Sequence, residues 1–126
     1  METLKKHHIS FKNAFSGLQY AFSSQPNFKI HFILAGFAIL VGFWLGVSFL
    51  EMTILILTII FGLSAEMVNT AIESATDLIT HEWRQEAKIA KDVAAGMMLL
   101  TAFGATLVAI LILGPKIIER LSWLFF

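Results

Sequence analysis

The stretch FILAGFAILVGFWLGVSFL, residues 32–50, contains no charged side chain and decides the class of fold. A helix needs about 20 apolar residues to cross the hydrocarbon core of a bilayer, and this stretch supplies them. Two further apolar stretches follow it. Residues 52–65 are uncharged up to Glu66, and residues 93–113 are uncharged up to the sequence Gly-Pro-Lys. The second stretch spans a membrane only if Glu66 lies inside or at the edge of the hydrocarbon.

The composition of the 126-residue chain is that of an integral membrane protein. Hydrophobic residues make up 57% of it and charged residues 14%, with a mean hydropathy of +0.77. A soluble domain carries roughly 25% charged residues, so the charged side chains here cannot cover this much apolar surface. The net charge is zero and there is no basic block, so nothing in the sequence indicates nucleic-acid binding and no such partner is expected. The absence of cysteine excludes disulfides, cysteine-ligated zinc and thiol catalysis.

Helices are the predicted elements because none of the three stretches alternates polar and apolar residues as a barrel strand does. We predict transmembrane helices at about 30–50, 52–78 and 88–114. Apolar residues before them recur at steps of three and four, which predicts an amphipathic helix at about 8–23. This helix either lies in the membrane interface or packs on the bundle without membrane contact. The expected fold is therefore an all-α membrane protein forming a single domain over residues 1–126, with an N-terminal surface helix.

The distribution of basic residues predicts the orientation in the membrane. Seven lysines and arginines precede the first span or lie between the second and third spans: Lys5, Lys6, Lys12, Lys29, Arg84, Lys88 and Lys91. Only Lys116 and Arg120 flank the opposite side. Because basic residues concentrate on the cytoplasmic side, we expect the N-terminus inside and the C-terminus outside.

Four polar residues on the second span form one narrow stripe. At about 100° per residue, Asn69, Glu73 and Asp77 point roughly −60°, −20° and +20° away from Glu66. A carboxylate near lipid costs about 2.5–3.5 kcal/mol on insertion scales, so the stripe requires a compensating partner such as a cation, a lysine or a water-filled cleft. An interhelical polar seam that only holds the bundle together is the structural alternative.

A second polar cluster opens the third span. Lys88, Lys91, Asp92 and Ala95 share a helical face. In one interpretation Lys91 and Asp92 pair at the membrane edge, and the small residues nearby allow close helix contact. In the other, Lys91 faces the carboxylate stripe and contacts phosphate. The residues alone leave both open.

Carboxylates, an amide and a lysine at a membrane edge suit magnesium and a nucleotide phosphate. Magnesium takes oxygen ligands and is held by one or two carboxylates plus substrate phosphates. A further carboxylate could accept the proton of an attacking hydroxyl. This chemistry is phosphoryl transfer to a lipid alcohol, although the sequence contains no P-loop and no protein-kinase motif. The alternatives are a small cation- or proton-conducting protein and a structural membrane subunit held by polar helix contacts. A cation path has little use for a lysine facing its carboxylates, whereas phosphate transfer does.

Two segments carry a resemblance to a known family. The run AEMVNTAIESATD at residues 65–77 and the run AKDVAAG at residues 90–96 resemble the signature of the small bacterial diacylglycerol kinase family. Gly17 and the sequence FKIH at residues 28–31 extend the resemblance over nearly the whole chain. The form VAAG at residues 93–96 is more similar to the undecaprenol kinase branch than to the diacylglycerol kinase branch.

The resemblance implies a lipid kinase of the bacterial inner membrane, with ATP as phosphoryl donor and Mg²⁺ as cofactor. The acceptor is a membrane lipid alcohol, with undecaprenol expected before diacylglycerol. Family members are homotrimers whose sites form between neighbouring subunits at the cytoplasmic face. Glu66 would be the catalytic base and, with Ala95, would meet the lipid substrate. Asn69, Lys91 and Asp92 would support the site.

The resemblance also implies a nucleotide and metal site with one departure from the family. Nucleotide contacts are expected at Glu73, Asp77, Lys91, Asp92 and Gln25. Glu73 and Gln25 would be the metal ligands, but the family usually has an acidic residue at the position of Gln25. An amide oxygen coordinates magnesium more weakly than a carboxylate does, so metal affinity is expected to fall. Glu82 is a candidate to supply the missing charge.

Overall fold

The computed structural model describes the backbone of residues 2–125 and the side chains of residues 9–122. The elements of this part of the chain are four α-helices: α1 (Glu2–Ser24), α2 (Pro26–Leu45), α3 (Phe49–Ile79) and α4 (Gln85–Phe125). Helices α2, α3 and α4 are long and apolar enough to cross a membrane. The predicted all-α class, with one N-terminal helix before three candidate spans, is confirmed.

Helix α3 is the centre of the bundle. It packs most extensively against α4, then against α2, and α1 contacts both α2 and α3. The buried apolar side chains are few: Ala21, Phe28, Leu55, Ala65, Ala94 and Leu113. Large apolar side chains such as Phe37, Leu57 and Phe103 are exposed on the outer faces of the three long helices. Such faces suit contact with lipid chains, where exposed apolar surface carries no penalty.

The junction between α1 and α2 follows the predicted break. Gln25 has extended backbone dihedrals, and Pro26 begins α2, where its missing N–H is not needed. Across the junction, the ring of Phe22 packs edge-on against Phe28 and Phe32, with centroid distances of 6.4 and 5.7 Å. These aromatic contacts fix the direction in which α1 leaves the bundle.

The turn between α2 and α3 lies inside the uncharged stretch of residues 32–50. Helix α2 ends at Leu45, because Gly46 adopts a left-handed conformation with φ 67°. The N–H of Val47 then donates to the carbonyl of Gly42 at 3.1 Å, as in a Schellman motif. Ser48 caps α3 and forms a capping box with Glu51. The first span, Pro26–Leu45, therefore begins and ends four to five residues before the predicted 30–50. Its end was not visible in the sequence because a glycine turn leaves the hydropathy unchanged.

We expect Gly46→Ala to destabilise the protein by about 1 kcal/mol, because the left-handed conformation places Cβ against the carbonyl oxygen. Denaturant unfolding in detergent micelles measures the change. Gly36→Ala is the matched control, since Gly36 lies within α2 and a Cβ there meets nothing within 4 Å. The control should be neutral or slightly stabilising. Equal losses in the two variants would contradict a special role for the backbone of Gly46.

Helix α4 continues beyond the predicted end at residue 114. It passes through Pro115 and reaches Phe125, and its 41 residues make it about 60 Å long, twice the thickness of a hydrocarbon core. The continuation is held by contacts to the α2–α3 turn. Lys116 Nζ lies 3.3 Å from Glu51 Oε2, and the Arg120 guanidinium lies 5.4 Å from the centre of the Trp44 ring. These contacts stabilise the helix where proline removes one backbone hydrogen bond.

Candidate active site

The predicted polar stripe lies on the half of α3 that follows Glu66. Glu66 is buried, with 3% of its surface exposed, and Thr70 donates a hydrogen bond to its backbone carbonyl at 3.0 Å. Glu73 is half-buried and Asp77 is exposed. The stripe therefore runs from the packed interior of the bundle to its surface, so that one end is shielded and the other is open to water.

Asn69 and Glu73 form the middle of the stripe. Asn69 Nδ2 donates to Glu73 Oε1 at 3.0 Å, as the spacing of four residues on a helix allows. This bond orients the amide so that Asn69 Oδ1 is buried and has no hydrogen-bond partner. Buried acceptors normally have a hydrogen-bond partner, so an unpartnered buried oxygen indicates a place where a water molecule or an ion can bind.

The donor set in this part of the stripe fits magnesium. Asn69 and Glu73 both carry oxygen donors, which Mg²⁺ prefers. Among the described residues, no group of three histidine or carboxylate side chains is placed to hold a metal ion. A magnesium ion held by one or two protein oxygens takes its remaining ligands from substrate phosphates and water. The arrangement therefore suits a metal that arrives with a nucleotide.

Lys91 connects α4 to the stripe. Its Nζ donates to Asp77 Oδ1 at 2.6 Å, across the interface between α3 and α4. Asp92 is paired instead with Lys88, one turn earlier on α4. Of the two arrangements left open by the sequence, the structure shows the lysine facing the carboxylates. Both pairs are half-exposed, so their contribution to stability is small and their groups remain accessible to a ligand.

The small residues after Asp92 have different surroundings. Ala94 is buried, with 2% of its surface exposed, whereas Ala95 is exposed. A Cβ added to Gly96 would meet nothing within 4 Å. Close packing of α4 on the bundle therefore depends on Ala94, and Ala95 presents an open apolar surface beside the polar cluster.

An open cleft of about 450 Å³ lies where α3 ends and α4 begins. It is lined by Thr76, Ile79, Thr80, Arg84, Glu86, Ala87 and Ala90. Thr76 and Ala90 directly precede Asp77 and Lys91 in the chain, so the cleft adjoins the Lys91–Asp77 pair. Its volume is in the range of small-molecule sites. Sequence reasoning missed the cleft, because its lining comes from two helices and the intervening turn.

Three further residues from the sequence analysis lie around the site. His31 on α2 is half-buried and, like Glu73, lies close enough to Glu66 for an electrostatic interaction. Gln25 lies at the α1–α2 junction, and its side chain makes no capping hydrogen bond to α2. Glu82 is paired with Arg84 at 3.1 Å on the exposed α3–α4 turn. Its charge is thus shared with that guanidinium.

Comparison with known proteins identifies the family. Residues 12–113 match the family described as prokaryotic diacylglycerol kinase. The chain belongs to the prokaryotic diacylglycerol kinase family. A diacylglycerol kinase from Synechocystis is 37% identical over 112 residues, which are 88% of this chain and 64% of that protein. An undecaprenol kinase from Bacillus subtilis is 36% identical over 108 residues, covering 86% of this chain and 88% of the relative.

A third relative in the prokaryotic diacylglycerol kinase family is a diacylglycerol kinase from Helicobacter pylori, 35% identical over 92 residues, which are 73% of this chain and 72% of that protein. The names of these relatives describe phosphorylation of two different lipids, so the family shares a lipid kinase activity. Membership therefore favours phosphoryl transfer over the ion-conducting and purely structural alternatives. It leaves the choice between the two lipids open.

Proposed function

We propose that the protein is an ATP- and magnesium-dependent kinase of the bacterial inner membrane that phosphorylates a lipid alcohol, undecaprenol in preference to diacylglycerol. Family membership supports the kinase activity. The observation that carries the assignment to this site is the polar stripe of α3, with a buried carboxylate at one end and a lysine at the other.

The depth of the stripe suits a reaction between a lipid and a water-soluble nucleotide. Glu51 and its partner Lys116 mark the outer boundary of the membrane. Along α3 from Glu51, Glu66 lies about 22 Å, Glu73 about 33 Å and Asp77 about 39 Å away, against a hydrocarbon core of about 30 Å. Glu66 is thus within reach of a lipid hydroxyl, whereas Glu73 and Asp77 are within reach of water. The two substrates meet between them.

Glu66 is the proposed catalytic base. Its carboxylate accepts the proton of the lipid hydroxyl while the hydroxyl oxygen forms a bond to the γ-phosphorus of ATP. The bond from the γ-phosphorus to the bridging oxygen breaks, and ADP leaves with that oxygen. Burial of Glu66 keeps water away from the γ-phosphorus, so that the lipid is phosphorylated and ATP is not simply hydrolysed.

The open end of the stripe is the proposed nucleotide site. Glu73 and Gln25 would hold Mg²⁺, with the unpartnered Asn69 Oδ1 as a further oxygen donor, and the bound ion would neutralise charge on the phosphates. Lys91 contacts the phosphates, Asp92 organises the N-terminal end of α4 through Lys88, and Asp77 lies on the nucleotide side. The adjacent cleft has room for the remainder of the nucleotide.

The preference for undecaprenol rests on the chemistry of the acceptor. Diacylglycerol carries two ester carbonyls beside its hydroxyl, and these accept hydrogen bonds. A prenol carries a hydroxyl and no other polar atom. The exposed Ala95 offers an apolar surface without spare donors beside the site, which suits the prenol. The similarity of residues 93–96 to the undecaprenol kinase branch points the same way.

The proposed protein faces the cytoplasm with its catalytic end and assembles as a homotrimer. The ends of α3 and α4 that carry Asp77 and Lys91 lie on the side with more basic residues, which is the cytoplasmic side. The extensive exposed apolar surface of a single chain allows contact with further copies as well as with lipid.

An acceptor assay tests the proposed function. Purified protein in nanodiscs is given radiolabelled ATP and either undecaprenol or diacylglycerol at equal mole fraction. We expect labelled lipid phosphate in both cases, with a higher kcat/KM for undecaprenol. A higher value for diacylglycerol would reverse the acceptor assignment. ATP consumption that neither lipid increases would reject the kinase assignment.

We expect Gln25→Glu to lower the magnesium concentration needed for half-maximal turnover by several-fold, because a carboxylate replaces an amide oxygen as ligand. A magnesium titration of turnover and Mn²⁺ binding followed by electron paramagnetic resonance measure the change. Gln19→Glu on the exposed part of α1 is the control for added negative charge. If the two variants shift the titration equally, Gln25 is not a metal ligand.

A further inference from the structure

The ion pair between Asp77 and Lys91 occupies the amine that the nucleotide needs. Lys91 Nζ donates to Asp77 Oδ1 at 2.6 Å, and the two side chains are 41% and 50% exposed. The residues come from different helices and are 14 positions apart in the chain. The contact is therefore a tertiary one that holds the lysine against α3, and it is accessible to a competing anion.

We propose that Asp77 holds Lys91 in place while the site is free of nucleotide and gives it up to the triphosphate, so that Asp77 competes with the nucleotide for this amine. The inference rests on the proposed function and concerns how that site is regulated. Asp77 is a positioning residue in this scheme: it acts on the nucleotide through Lys91. No proton or covalent bond is exchanged.

The physical basis is the difference in charge between the two partners of the lysine. A lysine side chain loses up to about 2 kcal/mol of rotamer entropy when it is fixed, and the net strength of an exposed ion pair already includes this cost. A half-exposed ion pair contributes about 0.2–1 kcal/mol. This is enough to order the amine of Lys91 but not to prevent a more highly charged anion from replacing Asp77. A triphosphate carries several negative charges and displaces one carboxylate.

The second ion pair supports the distinction between the two acidic residues. Asp92 pairs with Lys88 on the same helix, so its partner lies next to it whether or not α3 is nearby. Asp77 reaches across to α4. A change at Asp77 therefore alters the availability of Lys91 directly, whereas Asp92 acts on its own helix.

Binding of tripolyphosphate in the absence of magnesium tests the inference. Purified protein in nanodiscs is titrated calorimetrically at fixed ionic strength. Because the competing pair reduces the fraction of free Lys91, Asp77→Asn should tighten tripolyphosphate binding by about two- to six-fold. A structural defect caused by the substitution would weaken tripolyphosphate binding. A gain in affinity therefore indicates that Asp77 competes for Lys91 and that the fold is intact. Asp77→Glu keeps the charge and should stay within about twofold of the wild type.

Two comparisons isolate the ion pair from general electrostatics. Glu119→Gln removes the same charge from an exposed position on α4 about 40 Å along the helix from Lys91, and it should change the affinity much less than Asp77→Asn. In a Lys91→Met background, Asp77→Asn should have no effect. If Asp77→Asn does not yield folded protein, Asp77→Ser makes the same neutral change and is judged by the same criterion.

The outcomes separate this inference from the proposed function. Unchanged or weaker tripolyphosphate binding by Asp77→Asn, in a wild-type protein that phosphorylates lipid, overturns the competition and leaves the kinase intact. A gain that persists in the Lys91→Met background also overturns it, because the effect then comes from net charge. A wild-type protein that binds neither ATP nor tripolyphosphate overturns the proposed function itself.

Discussion

Replacing Glu66 by glutamine is expected to lower turnover by about 10²–10⁴-fold while ATP binding stays within about twofold of the wild type. The substitution keeps the size and shape of the side chain and one acceptor oxygen, but it removes the negative charge and the ability to take a proton. Glu66 is the most buried of the stripe carboxylates, and the residues proposed to bind the nucleotide lie further along α3. Turnover with saturating lipid and calorimetric titration of ATP measure the two quantities separately.

The same substitution at the other end of α3 is the control for Glu66→Gln. Glu51→Gln removes a carboxylate in the first turn of α3, which pairs with Lys116. It should lower thermal stability slightly and leave turnover near the wild-type value. Unchanged turnover in Glu66→Gln would remove Glu66 from the mechanism, and equal losses in both variants would point to damage of the helix.

Replacing Glu73 by glutamine is expected to lower turnover by about 10²-fold at fixed magnesium and to raise the magnesium requirement at least about 10-fold. The glutamine Oε1 can still accept the hydrogen bond from Asn69 that is 3.0 Å long in the wild type. The change therefore removes charge from the metal site with little change of shape. A magnesium titration of turnover, extended well above the wild-type requirement, measures the effect.

Recovery at high magnesium distinguishes Glu73 from Glu66. Turnover of Glu73→Gln should rise as the metal is added, since a weakened site fills by mass action. Turnover of Glu66→Gln should not rise, because excess metal does not replace a base. An unaltered magnesium titration of Glu73→Gln would contradict the assignment of this residue as a ligand.

Hydropathy and helical spacing predict the class of fold and the polar stripe, because both depend on residues that are close in the chain. Glu66 and Glu73 share a face of any α-helix that contains them. The end of α2 could not be predicted in this way, because it does not depend on hydropathy or helical spacing. Gly46 ends that helix through its backbone conformation, and glycine carries no hydropathy signal in an apolar stretch. The boundary between the first two spans was therefore placed incorrectly.

Features that depend on two helices could not be predicted from the residues alone. The partner of Lys91 is set by how the α3–α4 turn brings two faces together, and Asp92 was an equally good candidate until that geometry was known. The continuation of α4 past Pro115 likewise depends on Glu51 and Trp44, which lie far away in the chain. Local helix-breaking propensity is outweighed by such contacts.

Glu66 is more deeply buried in the bundle than Glu73, and in the proposed mechanism this burial affects both binding of the acceptor and release of the product. An uncharged alcohol can descend into the apolar layer to meet a sunken carboxylate, but a lipid with a large or charged head group would have to shed its hydration first. Once phosphorylated, the product carries a dianionic group that is poorly solvated at that depth. Its movement to the aqueous boundary lowers its free energy. In the proposed mechanism, the burial that favours binding of the acceptor therefore also favours release of the product.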